Sequence, residues 1–290
     1  MKIIRAEHLG MCFGVRDAIA LARKQANEGP VTILGDLVHN ETVVAELRAR
    51  GVRFEQRVDA VTTPVAMITA HGASARAINE VRERGLAVLE ATCPLVHFAH
   101  RSMARLVQEG YHPVVIGKRD HVEVRGLTGD LDEFDVIETE EDVLKLQERP
   151  RFGVVSQTTQ PIAKARHLVQ ILQARFAGAE VRFIDTVCLP TKQRQTAAVE
   201  LARQCDVVIV IGGAHSNNTR ELVASCGQHC SRVHHVQTAA DLREEWFEDS
   251  DKVGITAGTS TPDELIEQVE ARVRSFVESC HEEVHLTHSA

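Results

Sequence analysis

Three times along this chain a cysteine opens an amphipathic stretch, and 23, 24 and 24 residues later a short apolar run ends in glycine. The cysteines are Cys12, Cys93 and Cys188, and the glycines are Gly35, Gly117 and Gly212. A register kept three times marks an internal repeat, which limits the fold to copies of one supersecondary unit. In the first copy Val15, Ala18, Ile19 and Ala22 fall on one helical face; in the second Val96, Ala99, Met103 and Leu106 do. Pro94 and Pro190 follow their cysteines closely, where a first helical turn tolerates a missing N–H. Each cysteine is therefore expected at a helix start.

Each glycine leads into a polar loop, with His39, His121 and Ser216 in corresponding loops. A second apolar run then ends in small polar residues, at 69–74, 156–161 and 256–263. Short apolar runs alternating with helical stretches predict parallel sheets with crossover helices. In such sheets the loops after the carboxyl ends of strands line the ligand crevice. The expected fold class is α/β, with three small α/β domains at 12–92, 93–187 and 188–281 arranged as a pseudo-threefold trefoil. A strand within 1–11 is expected to join the third domain, and 282–290 reads as a solvated tail.

Composition narrows the function. With 290 residues, 43% hydrophobic and 26% charged, the chain is an ordinary globular protein and neither disordered nor collagenous. Its longest aliphatic run, Val207–Ile211, falls far short of the roughly 20 residues of a membrane span. A net charge of -8, with one Trp and one Tyr, argues against a nucleic-acid partner. The opening MKIIRAEHLG lacks the apolar core of a secretory signal, so a cytoplasmic protein with a small-molecule ligand is expected. Seven cysteines, an odd number, then point to ligation or catalysis and not to a disulfide framework.

A thiol at a helix N-terminus is biased toward thiolate. Three such thiolates suit a metal centre with one open position, either zinc with a water or a 4Fe-4S cluster with one iron not held by cysteine. Cys205 and Cys280 read as packing residues. Cys226 and Cys230, in CGQHC, read as the end of a helix running into a strand in preference to a zinc knot. The loop residues His39, His71, His121, Thr158, Ser216, Asn217, Asn218 and Ser260 can hold a phosphate without any phosphate-loop or dinucleotide motif. Glu123, two residues after His121 in a segment read as extended, is expected to face the same way as that histidine and is the best-placed general acid.

The segments GMCFGV, LVHNETVV, TAHGAS, ATCPLV, HVEVRG, SQTTQP, DTVC, SNN and TAGTSTPD, in this order, resemble the 4-hydroxy-3-methylbut-2-enyl diphosphate reductase family of the methylerythritol phosphate route to isoprenoids. The resemblance implies a trefoil built around a central 4Fe-4S cluster held by Cys12, Cys93 and Cys188. It places diphosphate-binding residues at His39, His71, Ser216, Asn218 and Ser260, a third histidine at His121, the proton donor at Glu123 and a hydroxyl relay at Thr158. The implied reaction is reductive dehydroxylation of an allylic diphosphate to isopentenyl and dimethylallyl diphosphate, with ferredoxin or flavodoxin as electron donor.

The chain also departs from the family pattern. MCFGV stands for FCAGV, HVEVRG for HPEVEG and CLPT for CYAT. GGAHSNNT stands for GSxNSSNS, which puts Asn217 at a phosphate-contacting serine position and His215 where an asparagine is usual. Two other readings of the same residues are a zinc-dependent hydrolase of a small phosphate ester and an iron-sulfur sensor of a phosphate metabolite.

Overall fold

A computed structural model of the chain describes residues 1–286, with side chains described through residue 276. The apolar runs are strands and the periodic stretches are helices. The chain opens with β1 (Lys2–Arg5) and α1 (Phe13–Glu28), then β2 (Val31–Leu34), α2 (Glu41–Ala49), β3 (Arg53–Glu55), β4 (Val65–Ile68), α3 (Ala75–Glu83) and β5 (Ala87–Glu90). There follow α4 (Pro94–Gln108), β6 (His112–Ile116), α5 (Val122–Thr128), β7 (Asp135–Ile137), α6 (Glu140–Lys145), β8 (Arg151–Ser156), α7 (Ile162–Arg175) and β9 (Glu180–Phe183). Last come α8 (Leu189–Ala202), β10 (Val207–Ile211), α9 (Asn217–Gly227), β11 (Arg232–Val236), β12 (Lys252–Ala257) and α10 (Asp263–Leu286).

The strands form three four-stranded sheets, in the orders β3-β2-β4-β5, β7-β6-β8-β9 and β11-β10-β12-β1, and every pairing is parallel. The three orders are the same arrangement repeated. In the third sheet the last place is taken by the chain's first strand, with Lys2 opposite Lys252. The repeat is thus circular: the strand that closes the first two copies at their ends is supplied to the third from the start of the chain.

Central strands of parallel sheets are covered on both faces and read as unbroken apolar runs. All five residues of β10 are buried. Alternate side chains part to opposite faces: Val207, Ile209 and Ile211 meet Ile266, Val269 and Val273 of α10, while Val208 and Val210 meet Ala198 and Leu201 of α8 and Leu222 of α9. The second sheet repeats this, with Val114, Ile116 and Val154 against Leu168 and Leu172 of α7, and Val115 and Val155 against Ala99 and Met103 of α4.

The chain divides into two compact units. One holds Met1–Cys12, His39–Glu41 and everything from Leu189 on, and so the third sheet; the other holds Phe13–Val38 and Thr42–Cys188, and so the first two sheets. The chain passes from one unit to the other after Cys188, and Cys93 lies within the unit of the first two sheets. A nonlocal helix cap ties that unit together. Asp130, just past α5, accepts from the backbone N–H of Ala75 (2.7 Å) and of Arg76 (2.9 Å) at the start of α3, while Ser74 caps the same helix through Ala77 N–H. At the other end of the chain α10 continues to Leu286, so the segment expected to be a solvated tail from 282 is helical that far, and 287–290 lie outside the described residues. Among the described residues no helix is long and apolar enough to cross a membrane.

Removing the acceptors of two N-terminal amides costs a helix about 1–2 kcal/mol. Asp130→Ala should lower the unfolding free energy in urea by that amount. Asp132→Ala, which removes a solvent-exposed ion pair with Arg76, should change it by less than about 0.5 kcal/mol.

Candidate active site

The three repeat cysteines occupy one structural position. Cys93 N–H donates to the carbonyl of Ala70 (3.0 Å), Cys188 N–H to that of Thr158 (2.9 Å) and Cys12 N–H to that of Thr259 (3.0 Å). Each acceptor lies in the loop after a second strand, β4, β8 or β12. A helix begins at the next residue in every case, with Phe13, Pro94 and Leu189, so each cysteine stands at a helix start beside backbone N–H groups that have no intrahelical partner. All three are half-buried, and none is in a disulfide.

The remaining described cysteines are different. Burial pushes the Cys205 thiol up to about 11 and that of Cys226 to about 12, and Cys230 Sγ–H donates to the Asp206 carbonyl at 3.4 Å. These are packing residues in the apolar layer under β10, as expected for Cys205 and for the CGQHC segment. Cys280 lies on α10, and its side chain is outside the described residues.

In the unit of the first two sheets, HVEV is not extended. Val122–Thr128 forms α5, and His121 is its N-cap, with the imidazole Nδ1 accepting from Glu123 N–H at 3.1 Å. That cap lets the chain enter a helix at once and turns Glu123 inward, where it is completely buried. A backbone N–H can only donate, so Nδ1 carries no proton and the neutral ring presents its N–H at Nε2. His71, from the loop after β4, meets the His121 ring edge to face at 5.5 Å between centroids.

Glu123 bonds twice to one residue. Its Oε1 accepts from Thr158 N–H (2.6 Å) and its Oε2 from the Thr158 hydroxyl (2.9 Å). Burial raises its pKa and these two bonds lower it, and the balance lies at about 7. The carboxyl is therefore close to half-protonated at neutral pH. When Oε2 carries a proton it donates to Thr158 Oγ1, whose own proton is then free to point elsewhere, since a hydroxyl gives one proton while accepting others. The carbonyl of the same Thr158 accepts from the Cys188 amide, so one loop residue holds both the Glu123 carboxyl and the start of α8.

In the other unit, the loop with His39 rests on the loops after β10 and β12. Ser260 Oγ–H donates to the His39 carbonyl (3.3 Å), and a Cβ on Gly213 would stand 2.3 Å from that oxygen, so only glycine permits this contact. Ser216 caps α9, accepting from Thr219 N–H at 3.3 Å. The next three residues are buried and carry polar atoms with no hydrogen-bond partner among the described residues: Asn217 Nδ2, both ends of the Asn218 amide and Thr219 Oγ1. Orphaned groups of this kind cost roughly 1–3 kcal/mol each.

Every site residue expected from the sequence thus falls on one of the two units: Cys12, His39, Ser216, Asn217, Asn218 and Ser260 on one, and His71, Cys93, His121, Glu123, Thr158 and Cys188 on the other. Sequence reading missed Thr219. The available signal was its place three residues after Ser216, where a cap brings the chain back on itself. His215, the other departure in this segment, is exposed.

Comparison with known proteins gives a consistent result. Residues 3–274 match the family described as LytB protein. The chain is 37% identical over 278 residues to the 4-hydroxy-3-methylbut-2-enyl diphosphate reductase of Geobacter metallireducens, covering 95% of this chain and 98% of that one. It is 38% identical to the protein of the same name from Aquifex aeolicus, with 96% and 98% covered. Among solved structures it is similar to an (E)-4-hydroxy-3-methyl-but-2-enyl diphosphate reductase, with a TM-score of 0.69, 37% identity and 94% and 99% of the two chains covered. It is also similar to the E-1-hydroxy-2-methyl-but-2-enyl-4-diphosphate reductase of Plasmodium falciparum, with a TM-score of 0.85, 27% identity and 92% and 86% covered.

The position of Glu123 predicts a pH signature. Below its ordinary value of 4.5 the carboxyl is protonated whether the chain is folded or not, and it costs nothing. From there up to about 7 the unfolded chain ionises first, so folding loses stability, on the order of 3 kcal/mol in all, and the loss levels off above pH 7. Urea unfolding across this range should find Glu123→Gln gaining on the unmodified protein as pH rises. Parallel curves would mean an ordinary, solvated carboxylate.

Proposed function

The chain belongs to the LytB family, and from that membership we propose that it is a 4-hydroxy-3-methylbut-2-enyl diphosphate reductase. The reaction removes the allylic hydroxyl: two electrons and two protons convert the alcohol to the C–H of isopentenyl or dimethylallyl diphosphate and release one water. The observation that carries this reading is the buried Glu123–Thr158 pair, a carboxyl poised near neutrality and coupled to a hydroxyl that can pass a proton on.

Cys12, Cys93 and Cys188 fit a 4Fe-4S cluster. They are half-buried, lie outside any disulfide and stand at the starts of three helices, and Gly14 presses so close to the Cys93 sulfur that a Cβ there would stand 2.6 Å from it. Bound through three thiolates, such a cluster supplies electrons one at a time and a Lewis-acidic iron.

The rest of the chemistry belongs to the chain. Ser216, Asn217, Asn218 and Ser260, with His39, bind and orient the diphosphate through neutral donors at the start of α9 and in the loops beside it. His71 and His121 add ring N–H groups. Glu123 gives its proton through Thr158 to the departing oxygen, and complete burial of the carboxyl keeps bulk water from competing for that proton. The electron donor in this reading is a ferredoxin or flavodoxin, and reduced thiols of this kind belong in the cytoplasm.

Isolated without oxygen, the protein should be brown and carry roughly four iron and four sulfide per chain. Serine at position 12, 93 or 188 should remove most of that iron. Glu123→Gln should keep it while slowing turnover of the allylic diphosphate by about 10²–10⁴. A colourless protein with one zinc per chain, or a brown one that does not turn the substrate over with a chemical reductant, would overturn the assignment.

A further inference from the structure

Between the first and second sheets, within one unit, lies a cleft of about 350 Å3 lined by none of the residues assigned to the reaction above. Its volume is at the lower end of the roughly 300–1,000 Å3 of small-molecule sites. Leu34, Val58, Ile68 and Val122 give it apolar walls, and the segment from Gly72 to Ala77 closes one side. Its polar side chains are the exposed Gln56 and Arg125 and the buried Ser74, and Arg125 is the one ionisable residue among those that line it.

The state of Arg125 is informative. Among the described residues its guanidinium has no hydrogen-bond or ion-pair partner, although most arginines of this chain have one. The amides at the start of α3, which could otherwise hold an anion, are already taken by Asp130 and Ser74. A charged head group in this cleft is therefore left to Arg125 and the Gln56 amide. Val122 and Arg125 are also the two positions at which HVEVRG departs from the HPEVEG pattern, so both changes fall on this one wall, and the second reverses its charge.

The wall is also the outer face of a helix that the reaction uses. On α5, Val122, Arg125 and Gly126 face the cleft at helical spacing, while Glu123, Val124 and Leu127 are buried behind them.

We propose that this cleft is a second ligand site, separate from the reaction centre, that takes a small amphiphile with one anionic head on Arg125 and a short apolar tail between β2, β4 and α5. The shared chemistry is one oxyanion group on a chain of about five to eight carbons, a carboxylate or a phosphate monoester; one arginine and one amide offer too few donors for the two phosphates of a diphosphate.

Calorimetry on the cluster-loaded protein with hexanoate, and separately with isopentenyl monophosphate, tests this. At least one of the two should bind; which of them does so decides whether the head is a carboxylate or a phosphate. Arg125→Glu should weaken that binding at least tenfold, Ala77→Phe should abolish it by filling the cleft, and Glu123→Gln should leave it unchanged. Thermal melting establishes that each variant is folded, and Arg125, being exposed, is safe to change. The proposal fails if neither probe binds the unmodified protein at millimolar concentration, if Arg125→Glu binds as well as the unmodified protein, or if Glu123→Gln loses the binding, which would place the probe at the reaction centre. None of these outcomes depends on turnover, so the site and the reductase assignment stand or fall separately.

Discussion

One hydrogen bond, made three times, organises this molecule: a cysteine amide donates to a carbonyl in the loop that follows a second strand. A strand end and a helix start are both places where backbone groups lack partners, so a single contact between them satisfies two needs. It also fixes where the sulfur sits, because the residue at the helix start has a defined backbone and little freedom. The three bonds link Cys93 to the first copy's loop, Cys188 to the second's and Cys12 to the third's, so each copy hands its sulfur position to the next stretch of chain. Placing β1 beside β12 closes this cycle, and the circular topology and the equivalence of the cysteines are one fact.

Glu123 owes its use to a near cancellation. Full burial alone would raise a carboxyl by several units, to where it never ionises near neutrality, whereas two good bonds to a solvated carboxylate would hold it well below 4. Here both come from the same fold: α5 carries the side chain inward, and the loop after β8 supplies exactly one residue, Thr158, to meet it with both its N–H and its hydroxyl. Because Thr158 also accepts from the Cys188 amide, the Glu123 carboxyl is tied to a helix start by three short bonds with no flexible segment between them.

How much of this could be read beforehand depended on whether the deciding interaction was local. The strands at 31–34, 113–116 and 207–211 are apolar runs bounded by glycine or proline, and the helices after the cysteines have a clear apolar face, so periodicity alone identified them. HVEV was misread because four residues carry no usable period, and the choice between strand and helix was made by the His121 ring capping the Glu123 amide. The tie between the first two sheets is another thing the sequence does not display: Asp130 caps α3 from more than fifty residues away, and no composition signal records that contact. Thr219 was overlooked since a threonine in a helical first turn looks like a solvated residue until the close approach of two glycine loops buries it.

The start of α9 is closed over by two glycine loops. A Cβ on Gly212 would stand 2.4 Å from Thr219 Oγ1, and one on Gly258 2.3 Å, so both loops yield space for a turn whose polar atoms are left without partners. The central strand beneath, with every residue of β10 buried, offsets that cost. Each of these atoms is buried as well as unpartnered, so the turn lacks hydrogen bonds because the two glycine loops close over it, and the same closure fixes which side chains can stand there.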